Sequence, residues 1–431
     1  MAQAPPFPED SVDFEATTQF KAPILRRAAQ AFFADGSRAD RAAFNRFCKS
    51  ASPWLDDFAL FMALKDAHNG AAWTTWDAKI RQRDPRIVSE WTLRLGPQLN
   101  TIKYWQFEFF RQWEDLKIYC GQRHIRLMGD IPIYVAHDSS DVWTNPELFY
   151  LDDQGNPTVV SGVPPDYFSA AGQLWGNPIY RWNVLEAGGY KWWIERLRAS
   201  FALFDLVRLD HFRGFESYWE IPASGATAIH GRWVKAPGNG LLSALQNEFG
   251  ELPIVAENLG VVTPAVKELR EKFGLPGMST LQFAFGTDPQ GPFFRPHNYK
   301  RDLIAYTGSH DNDTALGWWS SPDAGDSTRS PDDVRKEREF ARAYLNFHDN
   351  EEINWTMIRA VEASVADVVV IPLQDVLGLG SSARMNVPGT VSGNWKWRYR
   401  PGVLSRELSA RLRSLTALYG RDGLPTLSRS I

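Results

Sequence analysis

The sequence has little cysteine, no long apolar run and no strong excess of charge of one sign. Cys48 and Cys120 are too few to staple 431 residues, so both are expected to be reduced packing residues in a cytoplasmic protein. No apolar run approaches the roughly 20 residues that a membrane helix needs. The N-terminus lacks the charged and apolar regions of a secretory signal. A net charge of −4 without a basic stripe argues against a nucleic-acid partner.

Aromatic residues, in contrast, are abundant: the chain has 18 Trp, 26 Phe and 13 Tyr. Most must lie in the core, because large rings dominate burial. Some stand in loop-like sequence instead, as in Leu174-Trp175-Gly176. Exposed rings of this kind suit the faces of sugar rings, although the pattern alone is a weak indication. The length predicts one large domain with insertions, or two domains.

The first 123 residues have the pattern of helices only. Ser52-Pro53-Trp54 predicts a helix start, with Ser52 as the N-cap, and Asn69-Gly70 predicts its end. A second amphipathic helix is predicted from about Leu99 to Cys120. Neither carries a chemical motif. Residues 1–123 are therefore predicted to form a helical subdomain or packing layer.

From about residue 124, short apolar strands alternate with helices, which favours parallel strands joined by crossovers. The predicted strands are Ile125–Val135, Leu206–Asp210, Pro253–Ala256, Ser279–Phe285, Leu303–Thr307 and Val368–Leu373. Polar residues follow several of them, as at Asp130, Asp210-His211, Glu257-Asn258 and Gln374-Asp375. No Gly-rich phosphate loop follows any strand, which favours a closed barrel over an open nucleotide-binding sheet.

The predicted fold is therefore α/β, a TIM-type (β/α)8 barrel over residues 124–431. Inserted loops are expected around 138–182 and 216–248. A barrel of this kind needs eight strands, and the pattern supplies six. The other two are either hidden in the N-terminal third or absent.

Three groups of polar residues could carry chemistry. Retaining glycosyl transfer needs a carboxylate nucleophile and a carboxylic acid/base. Arg208 and Asp210 share one face of a strand, and a guanidinium keeps a carboxylate ionised, although the spacing fits a structural ion pair equally well. Glu257 ends an apolar strand, where a raised pKa suits a general acid, but a lone Glu there is more often a cap or ion-pair residue. The run at 309–313 fits turn chemistry better than a metal site.

Long motifs extend through the same regions of the chain. They are GDIPIYVAHDSSDVW from Gly129, SGVPPDYFSAAGQLWGNPIYRW from Ser161, RLDHFRGFESYWEIPA from Arg208, VAENLG from Val255, GLPGMSTLQFAF from Gly274, YTGSHDNDTALGWW from Tyr306 and ARMNVPGTVSGNWKWR from Ala383. With these motifs the sequence resembles the amylomaltase, or 4-α-glucanotransferase (disproportionating enzyme), family of the α-amylase superfamily. The resemblance covers nearly the whole chain, but the family's N-terminal strand–helix–strand segment is not found. The resemblance therefore implies that the six strands are strands 3 to 8 and that the chain lacks the first two. It also implies that residues 1–123 are a helical insertion subdomain with a linking helix and that the inserted loops cover the substrate.

The resemblance implies roles for individual residues. Asp210 would be the nucleophile, Glu257 the general acid/base, and Asp311 the group that grips the donor sugar and favours its distorted state. The residues that it implies for substrate binding are Arg208, His310, Asp166, Tyr167, Phe168, Trp175 and Asn386. It implies no metal and no organic cofactor. One departure is Asn258, where the family commonly has Asp; the missing charge is expected to lower the pKa of Glu257.

The implied activity is transfer of a 1,4-α-glucan segment to the 4-hydroxyl of an acceptor, with retention and through a covalent glucosyl-Asp210 intermediate. Donors would be α-1,4-glucans and maltooligosaccharides, acceptors would be glucose or a glucan, and the oligomeric state is left open. The compartment would be the cytoplasm, or the plastid stroma in a photosynthetic eukaryote. Two alternatives remain at this point: a truncated, weakly active or inactive glucan-binding homologue, and an α-glucan hydrolase.

Overall fold

The computed structural model describes residues 4–165, 169, 171–260, 262–321 and 330–423. Its α-helices are α1 (Phe14–Asp35), α2 (Arg38–Ala67), α3 (Ala78–Arg81), α4 (Pro85–Arg94), α5 (Gly96–Gly121), α6 (Ser140–Thr144), α7 (Trp182–Ala187), α8 (Lys191–Leu203), α9 (Gly238–Phe249), α10 (Pro264–Lys272), α11 (Ala315–Ser320), α12 (Pro331–Leu345), α13 (Ile353–Glu362), α14 (Leu373–Val376) and α15 (Arg406–Leu418). In the part of the chain so described, no helix combines the length and apolar character needed to cross a membrane.

The long helix α2 corrects the predicted helix start at Ser52. α2 begins with Ser37 as its N-cap, and both Ser52 and Pro53 lie inside it. A proline removes one backbone donor and normally interrupts a helix. Here the apolar face of α2, which includes Phe44 and Leu55, is buried, and α2 packs along α5. This burial outweighs the local stop signal, which is why local sequence alone misplaced the helix start.

Ten β-strands are present in the described residues. They are β1 (Met128–Ile131), β2 (Val159–Val163), β3 (Gln173–Pro178), β4 (Leu206–Leu209), β5 (Ser217–Pro222), β6 (Arg232–Lys235), β7 (Ile254–Ala256), β8 (Gly277–Thr280), β9 (Leu303–Tyr306) and β10 (Val368–Val370). Six of them correspond to the predicted strands, and all six are shorter than expected, β1, β8 and β10 by three residues or more. β1 stops at Ile131, and β8 stops at Thr280 because a 3₁₀ turn begins at Leu281.

The parallel strands form the wall of the predicted β/α barrel. β1 pairs with β4 and β4 with β7, while β8 pairs with β9 and β9 with β10. The two triplets meet where the Ala256 N–H donates to the Pro276 carbonyl at 2.9 Å. The described residues therefore supply six of the strands of an eight-stranded barrel. The absence of the other two from the chain stays a prediction.

The two insertions into the barrel form a single antiparallel sheet, which the sequence did not reveal. Its strand order is β3-β2-β5-β6. β2 and β3 come from the insertion around 138–182, whereas β5 and β6 come from the one around 216–248, and β2 joins them by pairing with β5. The insertions are thus one structured layer rather than separate loops. The domain boundaries at residue 123 and at the insertions stay predictions.

One hydrophobic core extends from the helical region into the barrel. It contains Leu60 and Trp76 from the helical region together with Trp143, Val207 and Ile254. Since the same core packs against both parts, the helices support the strands that carry the polar residues of interest. An ion pair between Lys65 and Asp138, 2.6 Å apart, adds a polar connection between the two parts.

Candidate active site

The centre of the site is a buried guanidinium between two carboxylates. The register of the sheet places Asp130 of β1 opposite Arg208 of β4. Arg208 Nη1 lies 2.8 and 2.7 Å from the two carboxylate oxygens of Asp130, and its Nη2 lies 2.9 Å from Asp210 Oδ1. The predicted Arg208–Asp210 contact is therefore present. Asp130, which lies within the predicted strand Ile125–Val135, is a second partner for which the sequence predicted no role.

The pKa of Asp210 is set by opposing influences. Burial raises it above its ordinary value, and the neighbouring charge of Arg208 opposes that rise. The negative charges of Asp130 and Asp311 raise the pKa further. The guanidinium is thus the main group that keeps Asp210 available as a carboxylate.

Glu257 lies at the end of the neighbouring strand and is less exposed to solvent. Its Oε2 accepts from the His211 backbone N–H at 2.8 Å, and its Oε1 accepts from the Leu259 backbone N–H at 2.6 Å. Burial raises the pKa of Glu257 to about 7, and the charge of Asp210 adds to this rise, whereas Arg208 and the two backbone donors oppose it. The predicted upward shift is therefore present. Glu257 can hold a proton at a pH where most carboxylic acids are ionised.

A fourth carboxylate, Asp311, lies in a hydrogen-bonded loop of the same site. Asn386 Nδ2 donates to Asp311 Oδ1 at 2.6 Å, and Arg384 Nη2 donates to the Asp311 carbonyl at 2.7 Å. His310 Nε2 lies 3.4 Å from Asp311 Oδ2 and 3.7 Å from Asp130 Oδ2. The structure thus brings together Asp311, His310 and Asn386, all of which were predicted. Arg384 lies in the ARMNVPG motif, but no pattern in the sequence indicates its contact with Asp311.

Trp175 is the predicted aromatic residue that the structure places beside the carboxylates. It lies on β3, its Nε1 donates to Gln173 Oε1 at 3.1 Å, and its ring meets the His211 ring edge-on, with centroids 4.8 Å apart. Burial lowers the pKa of His211 to about 4, so its ring is neutral near neutral pH. The other predicted loop residues, Asp166, Tyr167 and Phe168, lie outside the described residues.

A cavity of about 280 Å³ adjoins the Asp130–Arg208 pair, but Asp210, Glu257 and Asp311 are not among its lining residues. Its lining includes Asp130, Arg208, His310, Asn312 and Arg384. In the regions that the structure describes, no group of three or more His, Cys, Asp or Glu side chains has the arrangement of a metal site. Apolar side chains such as Met128, Met278 and Val370 line the rest of the cavity, so it combines charged and apolar surface.

Two of the polar residues that follow predicted strands have structural contacts instead. Asp375 is buried and accepts hydrogen bonds from the Thr307 hydroxyl at 2.5 Å and the Ala315 backbone N–H at 2.7 Å. Asn258 Oδ1 accepts from the Met278 backbone N–H at 2.7 Å, which ties the end of β7 to β8. The expected effect of Asn258 on the pKa of Glu257 stays a prediction.

We predict that Arg208→Gln lowers kcat by about 100-fold, the scale on which loss of one preorganised donor acts. It also removes the charge that opposes the raised pKa of Asp210. Asp210 must be ionised to attack, so activity on the acidic side should be lost at a higher pH than in the unchanged protein. The pH dependence of kcat/KM measures this shift.

Arg208→Lys is the matched control, since it keeps the charge but not the two separate nitrogens that contact Asp130 and Asp210. Arg208→Lys should shift the acidic limb of the pH dependence of kcat/KM less than Arg208→Gln does. Thermal unfolding of both variants separates loss of folding from loss of chemistry, because removing one partner from a buried ion pair also destabilises the fold. An acidic limb that stays in place in Arg208→Gln would contradict the assigned role of the guanidinium.

The fold and the site together define a β/α-barrel enzyme with two unlike carboxyl groups at its mouth. The sequence model of the 4-alpha-glucanotransferase family matches residues 2–405. The chain belongs to this family.

Individual relatives agree with this assignment. A 4-alpha-glucanotransferase from Synechocystis sp. is 49% identical over 422 residues, which cover 97% of this chain and 81% of that protein. One from Thermus thermophilus is 49% identical over 418 residues, covering 95% and 81%. The solved structure of an amylomaltase from Streptococcus agalactiae in complex with acarbose superposes with a TM-score of 0.90 at 35% identity, covering 96% of this chain and 81% of that one.

Proposed function

We propose that this chain is a 4-α-glucanotransferase that moves a segment of a 1,4-α-glucan to the 4-hydroxyl of glucose or another glucan. The observation that carries the proposal is the pair of unlike carboxyl groups, Asp210 held by Arg208 and Glu257 buried with a pKa of about 7. Its 4-alpha-glucanotransferase relatives support the same substrate class. Because the free thiols Cys48 and Cys120 suit a reducing compartment, we place the activity in the cytoplasm or an equivalent stroma.

In the first half of the reaction, an Asp210 carboxylate oxygen attacks the anomeric carbon of the donor sugar. The bond from that carbon to the glycosidic oxygen breaks, and the proton of Glu257 passes to the leaving oxygen. Asp210 then carries the glycosyl group as an ester, and Glu257 is a carboxylate. The side of the site formed by Asp311, His310 and Asn386 would hold the hydroxyls of the same sugar in its distorted state.

In the second half, the 4-hydroxyl of the acceptor gives its proton to the Glu257 carboxylate and attacks the anomeric carbon. The ester bond to Asp210 breaks, and the new α-1,4 bond has the configuration of the old one. Glu257 regains its proton, and Asp210 regains its charge. Two inversions at one carbon give net retention, and no group besides the two carboxylates changes its bonding.

Incubation with maltotriose and ¹³C-labelled glucose tests the proposal. Transfer predicts glucose together with a ladder of longer and shorter maltooligosaccharides, and it predicts labelled glucose at reducing ends. Hydrolysis predicts glucose and maltose without incorporated label, and an inactive glucan-binding protein predicts no change. The last two outcomes would each overturn the proposal. The Asp210→Asn variant at equal concentration excludes a contaminating activity.

Trp175→Ala should lower the ratio of transfer to hydrolysis by about tenfold, or about 1.4 kcal/mol. The indole packs against His211, next to Asp210, where it can exclude water and offer an acceptor sugar a flat face. Water reaches the covalent intermediate more easily once the ring is gone. Released reducing sugar and transferred label, measured in the same reaction, give the ratio.

Trp175→Phe is the control, because it keeps a ring at the site while removing the indole N–H that donates to Gln173. Its ratio should stay closer to that of the unchanged protein. If Trp175→Ala leaves the ratio as it was, the ring does not protect the intermediate from water.

A further inference from the structure

Trp395 has a backbone conformation that its residue type rarely adopts. Its φ is +60°, in the left-handed region where bulky residues other than glycine are outliers. Such a conformation costs free energy, and it persists only where the surrounding structure enforces it. Trp395 is nevertheless 48% exposed, so burial of its ring does not fully offset that free-energy cost. A strained, half-exposed aromatic residue therefore needs another explanation.

The loop around Trp395 is fixed at several points. The Trp395 backbone N–H donates to the Met385 carbonyl at 2.7 Å, which closes the loop at its base. Inside the loop, the Val387 N–H donates to Asn394 Oδ1 at 3.0 Å. The Asn386 N–H donates to the His310 carbonyl at 3.1 Å, which ties the loop to the active site. These bonds hold the backbone in the geometry that presents the indole.

The segment that follows Trp395 is also tied down. Residues 396–398 run antiparallel to residues 10–12, with an isolated bridge between Ser11 and Trp397. The Val12 N–H donates to the Lys396 carbonyl at 2.6 Å, and the Arg398 N–H donates to the Asp10 carbonyl at 3.1 Å. Trp395 thus lies between two anchored segments, so its ring has a defined position rather than that of a free loop tip.

That position is next to the residues assigned to the donor sugar. The indole and the His310 ring have centroids 5.2 Å apart and planes inclined by 41°. His310 in turn lies 3.4 Å from Asp311. We propose that Trp395 is a stacking platform for the glucosyl unit adjacent to the one that His310 and Asp311 hold. The proposal rests on the glucan-transferring function proposed above and adds a binding residue to it.

The chemistry of a sugar ring fits this surface. An α-linked glucose presents C–H groups on its faces and hydroxyls at its edge. An indole face that is half open to solvent can cover the C–H groups while the hydroxyls stay hydrated or reach polar neighbours. Since the ring is preorganised by the fixed loop, binding orders little that was free before. The strain at Trp395 is then retained because it places the ring.

Binding of maltoheptaose to the Asp210→Asn variant, measured by isothermal titration calorimetry, tests the proposal without turnover. Adding Trp395→Asn should weaken binding by about tenfold. Asparagine tolerates the left-handed backbone better than tryptophan does, so the unfolding temperature should stay equal or rise. Trp395→Phe keeps an aromatic face and should retain most of the affinity. Trp233→Ala removes another Trp, 40% exposed on β6, and should leave binding unchanged.

Unchanged affinity in Trp395→Asn would overturn the proposal. An equal loss of affinity in Trp233→Ala would also overturn it. So would a loss of affinity in Trp395→Asn and Trp395→Phe that parallels their loss of thermal stability. A protein that binds no maltoheptaose even with Trp395 intact would instead refute the proposed function itself. A tenfold loss in the Asn variant with preserved stability, and little loss in the Phe variant, is the result expected.

Discussion

Replacing Asp210 with Ala is expected to lower kcat for maltotriose disproportionation by about 10⁴-fold or more, the scale on which loss of a catalytic nucleophile acts. Without this carboxylate no covalent intermediate can form. With α-maltosyl fluoride as donor, azide should restore turnover, because it fits the space that the side chain leaves. Azide would then attack from the side of the missing nucleophile, and the product should be the β-maltosyl azide, with inverted configuration.

Asp205→Ala is the matched control, since it removes a carboxylate just before the first residue of the same strand. Asp205 accepts from the Leu127 N–H at 2.7 Å, at the opposite end of β4 from Asp210. Substitutions at that end of a barrel affect stability rather than chemistry, so kcat should change little. Full activity in Asp210→Ala, or an α-configured azide product, would show that another residue is the nucleophile.

Replacing Glu257 with Ala is expected to lower kcat for maltotriose by about 10³-fold, because general acid–base catalysis contributes on that scale. The loss should be much smaller for formation of the glycosyl-enzyme from α-maltosyl fluoride, since fluoride leaves without a proton. Azide should then attack the intact intermediate on Asp210. The product should be the α-maltosyl azide, opposite in configuration to that from Asp210→Ala.

The pH dependence of kcat/KM follows from the ionisation of Glu257. Glu257 donates a proton in the first step, so only its protonated form is active toward maltotriose. With a pKa of about 7, that form predominates below this pH and is lost as the pH rises through it. kcat/KM for maltotriose should therefore fall on the alkaline side near pH 7, and glycosyl-enzyme formation from the fluoride donor by Glu257→Ala should lack this limb. If the alkaline limb persists in Glu257→Ala, the ionisation belongs to another group.

The sequence located the barrel strands because they are local patterns, whereas the family resemblance implied the catalytic roles of Asp210 and Glu257. Leu206–Leu209 and Ile254–Ala256 are short apolar segments that end at a carboxylate, and any such strand is expected to place that residue at a sheet end. The start of α2 was misplaced because that prediction, too, relied on a local pattern. A proline is a strong local signal, but the burial that overrides it depends on a helix almost fifty residues further along the chain.

Contacts between distant segments could not be read from the sequence. Asn386 and Asp311 are 75 positions apart, yet their side chains share a hydrogen bond. The pairing of β2 with β5, which unites the two insertions, is equally remote. Neither contact has a periodicity or spacing that a single sequence reveals. Both depend on the barrel first bringing the strand ends to one mouth.

The sequence by itself determined which carboxylates were available and that they would lie on neighbouring strands. Only the tertiary structure decided the surroundings of each carboxylate, which differ between the two. Asp210 remains beside Arg208, whose second partner Asp130 comes from β1, whereas Glu257 is enclosed and receives two backbone N–H donors. The physical reason is that a pKa depends on burial and on nearby charge in three dimensions. Two similar side chains thereby acquire the different proton affinities that a nucleophile and an acid require.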